Sequence, residues 1–530
     1  MKVPPTTQVV IAGAGPVGLS AAIELGHRGI DCVIVEPRAE PTRLRPRAKT
    51  LNMRTLEHIR RWGLEEALRA RAPLPPSWSS DVSFATTLLG TEITRFSGVL
   101  GLSDPDGVAP VLGQQLPQYV LEDLFREVVA ELPTCTLAVG SRVADVRQDD
   151  AAARVRIVDE TGGTREVEAC YVLGADGGRS IVRDTIGAKY VGHQALSPNV
   201  GIVFRDEKLM SRLTTPPAVQ TWLINDEVPG LMGPVDRTGT WWLIAFGVDG
   251  TAPDFDPAAT VAGALGEARP VEIVSIDPWT ARMEMADRCR AGRCFLIGDA
   301  AHLNPPFGGH GLNTGIGDAV DIGWKMAAVL DGWGGPALLD SYEAERRALQ
   351  QRIIDEAAQN MSVLSTDLIR ADLDAPDDAG RTARTALAER ISATKRREYF
   401  SLDLVLGQRY SNSSVLPTTI ATVEDWPTRA CVGRRLPHAW LSPGRSTLDM
   451  VGPEYTLLML DDEPVDRVTA AANALTMPLR VEHLRHSGLA ETMGAKAVIV
   501  RPDQIVAWHG TGLPDDPTSL LSLLAGDGRV

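Results

Sequence analysis

The chain has 530 residues, is 44% hydrophobic and carries a formal net charge of −15. Its length exceeds what one hydrophobic core serves and points to about three domains. The acidic balance excludes a nucleic-acid partner, which needs a basic surface to neutralise phosphates. No apolar run is long enough to span a membrane. The short run near the start, VVIAGA, reads as a first strand and not as a signal sequence. Six cysteines, at 32, 135, 170, 289, 294 and 431, show no metal spacing. They read as small buried residues of a cytoplasmic protein in a reducing compartment.

In chain order, the first predicted unit is an apolar strand (Val9–Ala12), a glycine turn, a helix and a second strand (Cys32–Val35) that ends on Glu36. Gly13, Gly15 and Gly18 stand at G-x-G-x-x-G spacing, and Pro16 opens the helix. That spacing serves a tight turn, a close backbone approach to a pyrophosphate, and close helix–strand packing, and the acid at Glu36 is placed to accept a ribose hydroxyl. A carboxylate there disfavours a 2′-phosphate, so the ligand of this unit is FAD or NAD. An arginine-rich segment follows (Arg45–Leu64), and the helix signal at Leu116–Phe125 begins beside Gln118.

The run Leu74–Phe96 and residues 188–287 contain strand-like stretches broken by Asp, Pro and Gly, which predicts a second sheet. Trp222 and Trp241 are its candidate pocket walls; of the neighbours Trp241 and Trp242 only one can face inward, because strand side chains alternate. Between these runs, a strand at Tyr171–Leu173 leads into Asp176-Gly177-Gly178, with Ser180 and Arg183 at the next helix start.

Residues 293–326 carry the densest signal: a strand (Cys294–Ile297), an acidic turn (Gly298–Asp299), a glycine loop (Pro305–Gly311) and a helix. Glycines before a helix start let backbone N–H groups meet an anionic ligand closely. Asp299, following an apolar strand, is expected as an interior or semi-interior carboxylate in need of hydroxyl partners. Pro306 and Gly308 are expected to fix the loop beside the reacting centre, and Gly311, Leu312 and Asn313 to present N–H groups. His310 is expected either to supply a switchable positive charge there, titrating around pH 6.5, or to be an exposed loop histidine without a role. Residues 341–363 predict a charged amphipathic helix, while the polar stretch 371–390 fits either a long helix or a surface excursion.

Taken together, the segments at 9–36, 173–183 and 293–326 resemble the FAD-dependent single-component aromatic hydroxylases of the p-hydroxybenzoate and phenol hydroxylase type. The C-terminal runs at Cys431–Leu460 and Lys496–Gly510 are similar to the extra domain of the polyketide- and rebeccamycin-type tailoring oxygenases. The resemblance implies an α/β fold with a Rossmann-like FAD-binding domain, discontinuous over 1–75, 105–187 and 288–360. It also implies a β-sheet substrate domain (76–104 and 188–287), a helical linker region (361–430) and a thioredoxin-like C-terminal domain (431–530). No cysteine lies beyond Cys431, so that domain has no C-x-x-C dithiol. By the same resemblance, Arg47, Gln118, Asp176, Gly298 and Asp299 contact the cofactor or its reductant. The implied activity is hydroxylation of a phenolic or polycyclic small molecule with O2 through a flavin C4a-hydroperoxide. Because a second G-x-G-x-x-G is absent, the electron donor implied is a transiently docked NAD(P)H without a domain of its own, NADPH being favoured. A homodimer through the C-terminal domain is the expected assembly. Baeyer–Villiger oxygenation or epoxidation on the same scaffold, and a non-catalytic protein that sequesters a reactive intermediate, stand as alternatives. The F-x-G-x-x-x-H string of the dedicated Baeyer–Villiger class is missing, since Asn313 occupies its histidine position.

Overall fold

The computed structural model describes residues 3–45, 49–193, 197–305, 307–361, 368–370, 372–417, 427–484 and 488–527. Arg47 and Pro306 lie outside the described residues.

The first sheet is mixed, with its parallel centre formed by Cys294–Leu296, Thr164–Gly174, Thr6–Ala12, Cys32–Glu36 and Cys135–Val139 in that order. Val9, Val10, Ile11, Val33 and Ile34 are completely buried, as expected of strands covered on both faces. The helix Pro16–Gly26 starts on a proline, whose missing N–H costs nothing at that position, and is buried almost all round. It packs on the long helix His310–Leu330, and glycines set how closely. A Cβ on Gly315 would stand 2.6 Å from Val17 Cγ2, and one on Gly323 2.7 Å from Glu24 Cγ. The turns that precede both helices are thereby drawn to one end of the sheet.

A seven-stranded sheet runs Glu272–Thr280, Pro198–Arg205, Thr240–Phe246, Gly230–Pro234, Gln220–Leu223, Val82–Ala85 and Glu92–Phe96. Its strands come from both sequence runs expected to form the second sheet. One face carries Trp222, Leu231, Trp242 and Phe246 toward Phe307 of the glycine loop. The opposite face carries Leu223, Met232, Trp241 and Leu243 into a separate core with the helix Pro257–Leu265.

The stretch after 371 is a helix, Asp378–Tyr399, and it is no surface excursion. Its Leu387, Ile391 and Tyr399 join the aromatic core on the Phe307 side.

The last unit is a four-stranded sheet in the order Leu479–His483, Tyr455–Met459, Ala497–Val500, Val506–Gly510, with one parallel and two antiparallel pairings. With its helices Asp466–Ala474, Leu489–Met493 and Pro517–Ala525 this is a thioredoxin-like arrangement. Its cysteine-free sheet is fixed to the long helix by buried ions. Arg501, fully buried, holds Glu345 at 2.9 Å, Asp321 at 2.7 Å and Asp503 at 2.6 Å, and Lys325 adds Glu345 at 2.7 Å and Asp321 at 2.9 Å. No helix among the described residues is long and apolar enough to cross a membrane.

Candidate active site

Each glycine of the first turn has a distinct physical reason. Gly13 has φ +102, and a Cβ there would overlap the Ala175 carbonyl oxygen; one on Gly18 would overlap the Gly13 carbonyl oxygen. Gly15 is different, since nothing lies within 4 Å of where its Cβ would point. The chain is therefore closed at Gly13 and Gly18 and open at Gly15, the shape of a cradle at a helix N-terminus. Glu36 is buried at the end of its strand, accepting from the Ala14 N–H at 2.9 Å and from Arg38 Nε at 2.9 Å. Gln118 opens the helix Gln118–Glu131 and donates to Glu122 at 2.7 Å. Burial lifts the Glu122 carboxyl above its ordinary range, with Arg38 and Glu36 among the charges it feels, so Gln118 sits near the Glu36 end of the cleft.

Asp176 takes the Ile181 N–H at 2.8 Å on Oδ2, at the start of the short helix Ile181–Thr185 that Ser180 caps, while its buried Oδ1 has no partner among the described residues. Burial raises its pKa. Arg183 donates to Gly178 O at 3.1 Å and to Ala300 O at 3.4 Å, and stacks 3.9 Å over Tyr190. Tyr190 in turn donates to the Asp299 carbonyl. Arg183, already part of the Asp176 motif, and Tyr190, which motif reading passes over, tie the Asp176 turn to the Asp299 turn.

Asp299 corrects an expectation. Its side chain is exposed, because the turn after the strand Cys294–Leu296 carries it out of the core. The interior carboxylate below the turn is Asp318 instead. It accepts from the Gly298 N–H at 3.2 Å, His302 at 2.8 Å, Arg346 at 2.8 Å and Gln350 at 3.1 Å. Burial alone would raise its pKa, but Arg346 and His302 hold it below the usual carboxylate range. A charge inside an otherwise apolar helix must be paired, so Asp318, Asp321 and Lys325 in GDAVDIGWKM were the available sequence signal for this network.

Gly308 and Gly309, at φ +75 and +67, turn the loop into the long helix. Beyond Gly311 the space is nearly open, with Asn304 Cβ at 3.8 Å as its nearest contact. The Asn313 side chain is fully engaged in pinning the helix start. It takes the Asn52 N–H at 3.0 Å and the Thr55 hydroxyl at 2.7 Å, and donates to Thr50 O at 2.9 Å and Gly309 O at 2.7 Å. What Leu312 and Asn313 can offer a ligand is backbone at a helix start.

His310 corrects a second expectation. Its ring is buried and turned into an enclosed cavity of about 30 Å³, lined also by Asn52, His58, Tyr410 and Asp503, and its Nε2 has no partner among the described residues. Burial pushes its pKa down to about 4, so it is neutral across pH 5.5–7.5 and supplies no switchable charge. The consequence falls on stability. A base whose folded pKa lies below its unfolded 6.5 contributes stability at high pH that is lost as pH falls from 6.5 toward 4, here about 3 kcal/mol. His310→Leu should flatten that part of the acid-unfolding curve, read by circular dichroism. An unchanged acid limb would contradict the assignment.

Trp241 is the third correction. It lies in the core on the far side of the sheet, and Trp242 is the tryptophan on the loop side. Trp222 does face the loop, stacking 6.1 Å from Phe307 at 19° and 6.0 Å from Phe84 at 8°. Helix Asp378–Tyr399 completes this wall with residues that sequence reading passed over. Tyr399 OH accepts from Trp222 Nε1 and from Gln220 at 3.0 Å. Lys395, fully buried, lies 4.2 Å over Trp222 and pairs with Glu398 at 3.1 Å, and Glu398 also accepts the Gly308 N–H. Burial raises the Glu398 pKa against the pull of Lys395. One buried ion pair thus joins the glycine loop to the aromatic wall.

Comparison with known proteins agrees with this geometry. An FAD binding domain model matches residues 6–357, and an aromatic-ring hydroxylase C-terminal model matches residues 429–526. The chain is 30% identical to tetracenomycin B2 monooxygenase-dioxygenase of Streptomyces olivaceus, over 97% of both proteins. It is 32% identical to aklavinone 12-hydroxylase RdmE of Streptomyces purpurascens, covering 94% of this chain and 95% of that one. Among solved structures, the rebeccamycin biosynthetic enzyme RebC with reduced flavin superposes with a TM-score of 0.92 at 33% identity, covering 99% of this chain and 100% of that one. The open cradle at Gly15, the carboxylate of Glu36 and the glycine loop under Asp299 fit the two ends of FAD, and the chain belongs to the FAD-dependent aromatic-ring hydroxylases, as a flavin monooxygenase.

Proposed function

We propose that the chain hydroxylates a phenolic or polycyclic aromatic compound, taking electrons from a transiently docked NAD(P)H, with NADPH favoured, and oxygen from O2. The observation that carries this reading is the apposition of the glycine loop, through Phe307, to the aromatic face of the second sheet. FAD, when bound, supplies the activation of O2 and the transfer of one oxygen atom.

The chain's own residues do the rest. The N–H groups around Gly15, at the start of helix Pro16–Gly26, hold the pyrophosphate, and Glu36 accepts the adenosine ribose hydroxyl. Asp299, already exposed at its turn, accepts ribityl hydroxyls. The Leu312 and Asn313 N–H groups stand where a helix start favours negative charge on the reduced ring. Phe246, Trp242 and Phe307 exclude water and present flat apolar surface to an aromatic ring, with Trp222 fully buried against Phe307. Glu398 keeps Gly308 in register with that wall through its N–H. Where oxygen is inserted into a ring bond or added across a double bond, a lactone or epoxide forms instead of a phenol.

The purified protein should be yellow and release FAD on heating, with FMN excluded by chromatography. NADPH oxidation should rise on addition of naphthols or hydroxyanthraquinones, with hydroxylated product formed. Protein that keeps FAD but consumes no NADPH with any of these would overturn the oxygenase reading and favour sequestration of a ligand.

A further inference from the structure

Lys49 is placed where two parts of the molecule meet. It precedes the short strand Thr50–Leu51, and Thr50 packs against the glycine loop, since a Cβ on Gly309 would stand 3.2 Å from Thr50 Cβ. The Lys49 side chain leaves that strand and crosses to the second sheet. Its Nζ lies 4.0 Å from the Trp242 ring centroid and 3.3 Å from the Pro234 carbonyl oxygen. Trp242 faces the Phe307 side of the sheet, so this ammonium stands on the wall that a substrate would share with the loop.

The cation is poorly compensated. Partly buried between the strand and the sheet, it forms no ion pair among the described residues and donates to one carbonyl. The fully buried cations compared with it are paired: Lys325 has two carboxylates, Lys395 has Glu398, Arg435 has Glu57 and Arg501 has three. Burial without an opposing charge drives the Lys49 pKa well below its ordinary value, a cost that an anion at the same place would relieve. A second donor is stranded beside it. The Trp242 indole N–H is buried without an acceptor and lies against Gly233, the residue before Pro234. A neutral hydrocarbon would leave both donors unmatched; an anionic oxygen would meet them.

We propose that Lys49 binds a carboxylate or ionised hydroxyl of the substrate against the Trp242 wall, so that the enzyme selects aromatic acids and acidic phenols over neutral aromatics. This rests on the reading of the Phe307 side as the substrate face. A phosphate of the nicotinamide donor has the same anionic chemistry, and the test separates the two sources.

The probes are 2-naphthoate, its methyl ester and NADP+, each titrated calorimetrically into FAD-loaded wild type, Lys49→Met and Lys49→Arg. Methionine keeps an apolar stem over Trp242 and removes the charge; arginine keeps the charge. The acid should bind wild type more tightly than the ester does, and Lys49→Met should weaken the acid about tenfold or more while moving the ester less than about twofold. Lys49→Arg should restore most of the loss, and NADP+ should bind all three alike. Equal affinity of acid and ester for wild type, or equal weakening of both by Lys49→Met, would leave only an apolar contact and overturn the proposal. Weakening of NADP+ in place of the acid would overturn it by assigning Lys49 to the nucleotide. These are binding measurements, so failure of turnover and failure of the Lys49 assignment are read separately.

Discussion

Gly18→Ala is expected to lose both FAD and fold stability, whereas Gly15→Ala is expected to lose FAD alone. A Cβ on Gly18 would overlap the Gly13 carbonyl oxygen and stand 3.2 Å from Ala175 Cβ. The obstruction is backbone, which cannot rotate away, so the first helix must lift off the sheet at a cost of about 1–3 kcal/mol or more. Gly15 sits at φ −71 and ψ 177, a conformation open to any residue, with nothing within 4 Å of a Cβ. Alanine there should leave the apoprotein as stable as wild type or slightly more so, since it narrows the unfolded ensemble. Its methyl group nevertheless occupies the space a pyrophosphate would enter. FAD affinity should then fall at least about tenfold, equivalent to about 1.4 kcal/mol. Thermal unfolding of the apoproteins with FAD titration gives both numbers. Gly15→Ala with wild-type FAD affinity would show that the cradle is not where the pyrophosphate binds.

Arg501→Met should be the most destabilising single change in the C-terminal unit. Arg501 is surrounded by Asp321, Glu345 and Asp503; when it is removed Lys325 still pairs with Asp321 and Glu345, while the Asp503 carboxylate loses its ion-pair partner among the described residues. Burial already raises the Asp321 pKa to about 7 despite Lys325 and Arg501. Losing one partner of a buried ion group strands the other charges, which costs about 3–5 kcal/mol. The exposed pair Arg71–Glu127, at 2.7 Å, is the control, and Arg71→Met should cost less than about 1 kcal/mol. Denaturant midpoints report both. Equal small effects would mean that the ionic contact between the C-terminal sheet and the long helix contributes little to holding them together.

The glycine turn and its strand–helix–strand unit were legible because their determinants are local. Gly13, Gly15, Gly18 and Glu36 sit within one strand–helix–strand unit, and spacing alone dictates which glycine is closed and which is open. The substrate end was not, because its determinants are pairings between distant segments. Alternation told that one of Trp241 and Trp242 faces inward, but which one depends on how Thr240–Phe246 registers with Gly230–Pro234 and on which face the loop covers. Lys395 and Glu398 lie in a helix so polar that solvent exposure was the natural expectation; Trp222 and Phe307, far away in sequence, bury them. His310 was read from its neighbours in the loop, yet the left-handed turn at Gly308 and Gly309 points its ring away into an inner cavity. Asp299 followed an apolar strand, and the turn that exposes it rests on Asp318, which lies nineteen residues further along the chain.

We place at the centre of the proposed function the transfer of one atom of O2 to an aromatic ring held beside the glycine loop and the Phe307 side of the second sheet. Its most direct test is turnover of the FAD-loaded protein under isotopically labelled O2 with NADPH and a hydroxyanthraquinone or naphthol that stimulates oxidation. The product should carry one labelled oxygen atom per NADPH consumed, with little hydrogen peroxide. Products without label, or NADPH consumption that ends entirely as hydrogen peroxide for every aromatic that binds, would contradict it.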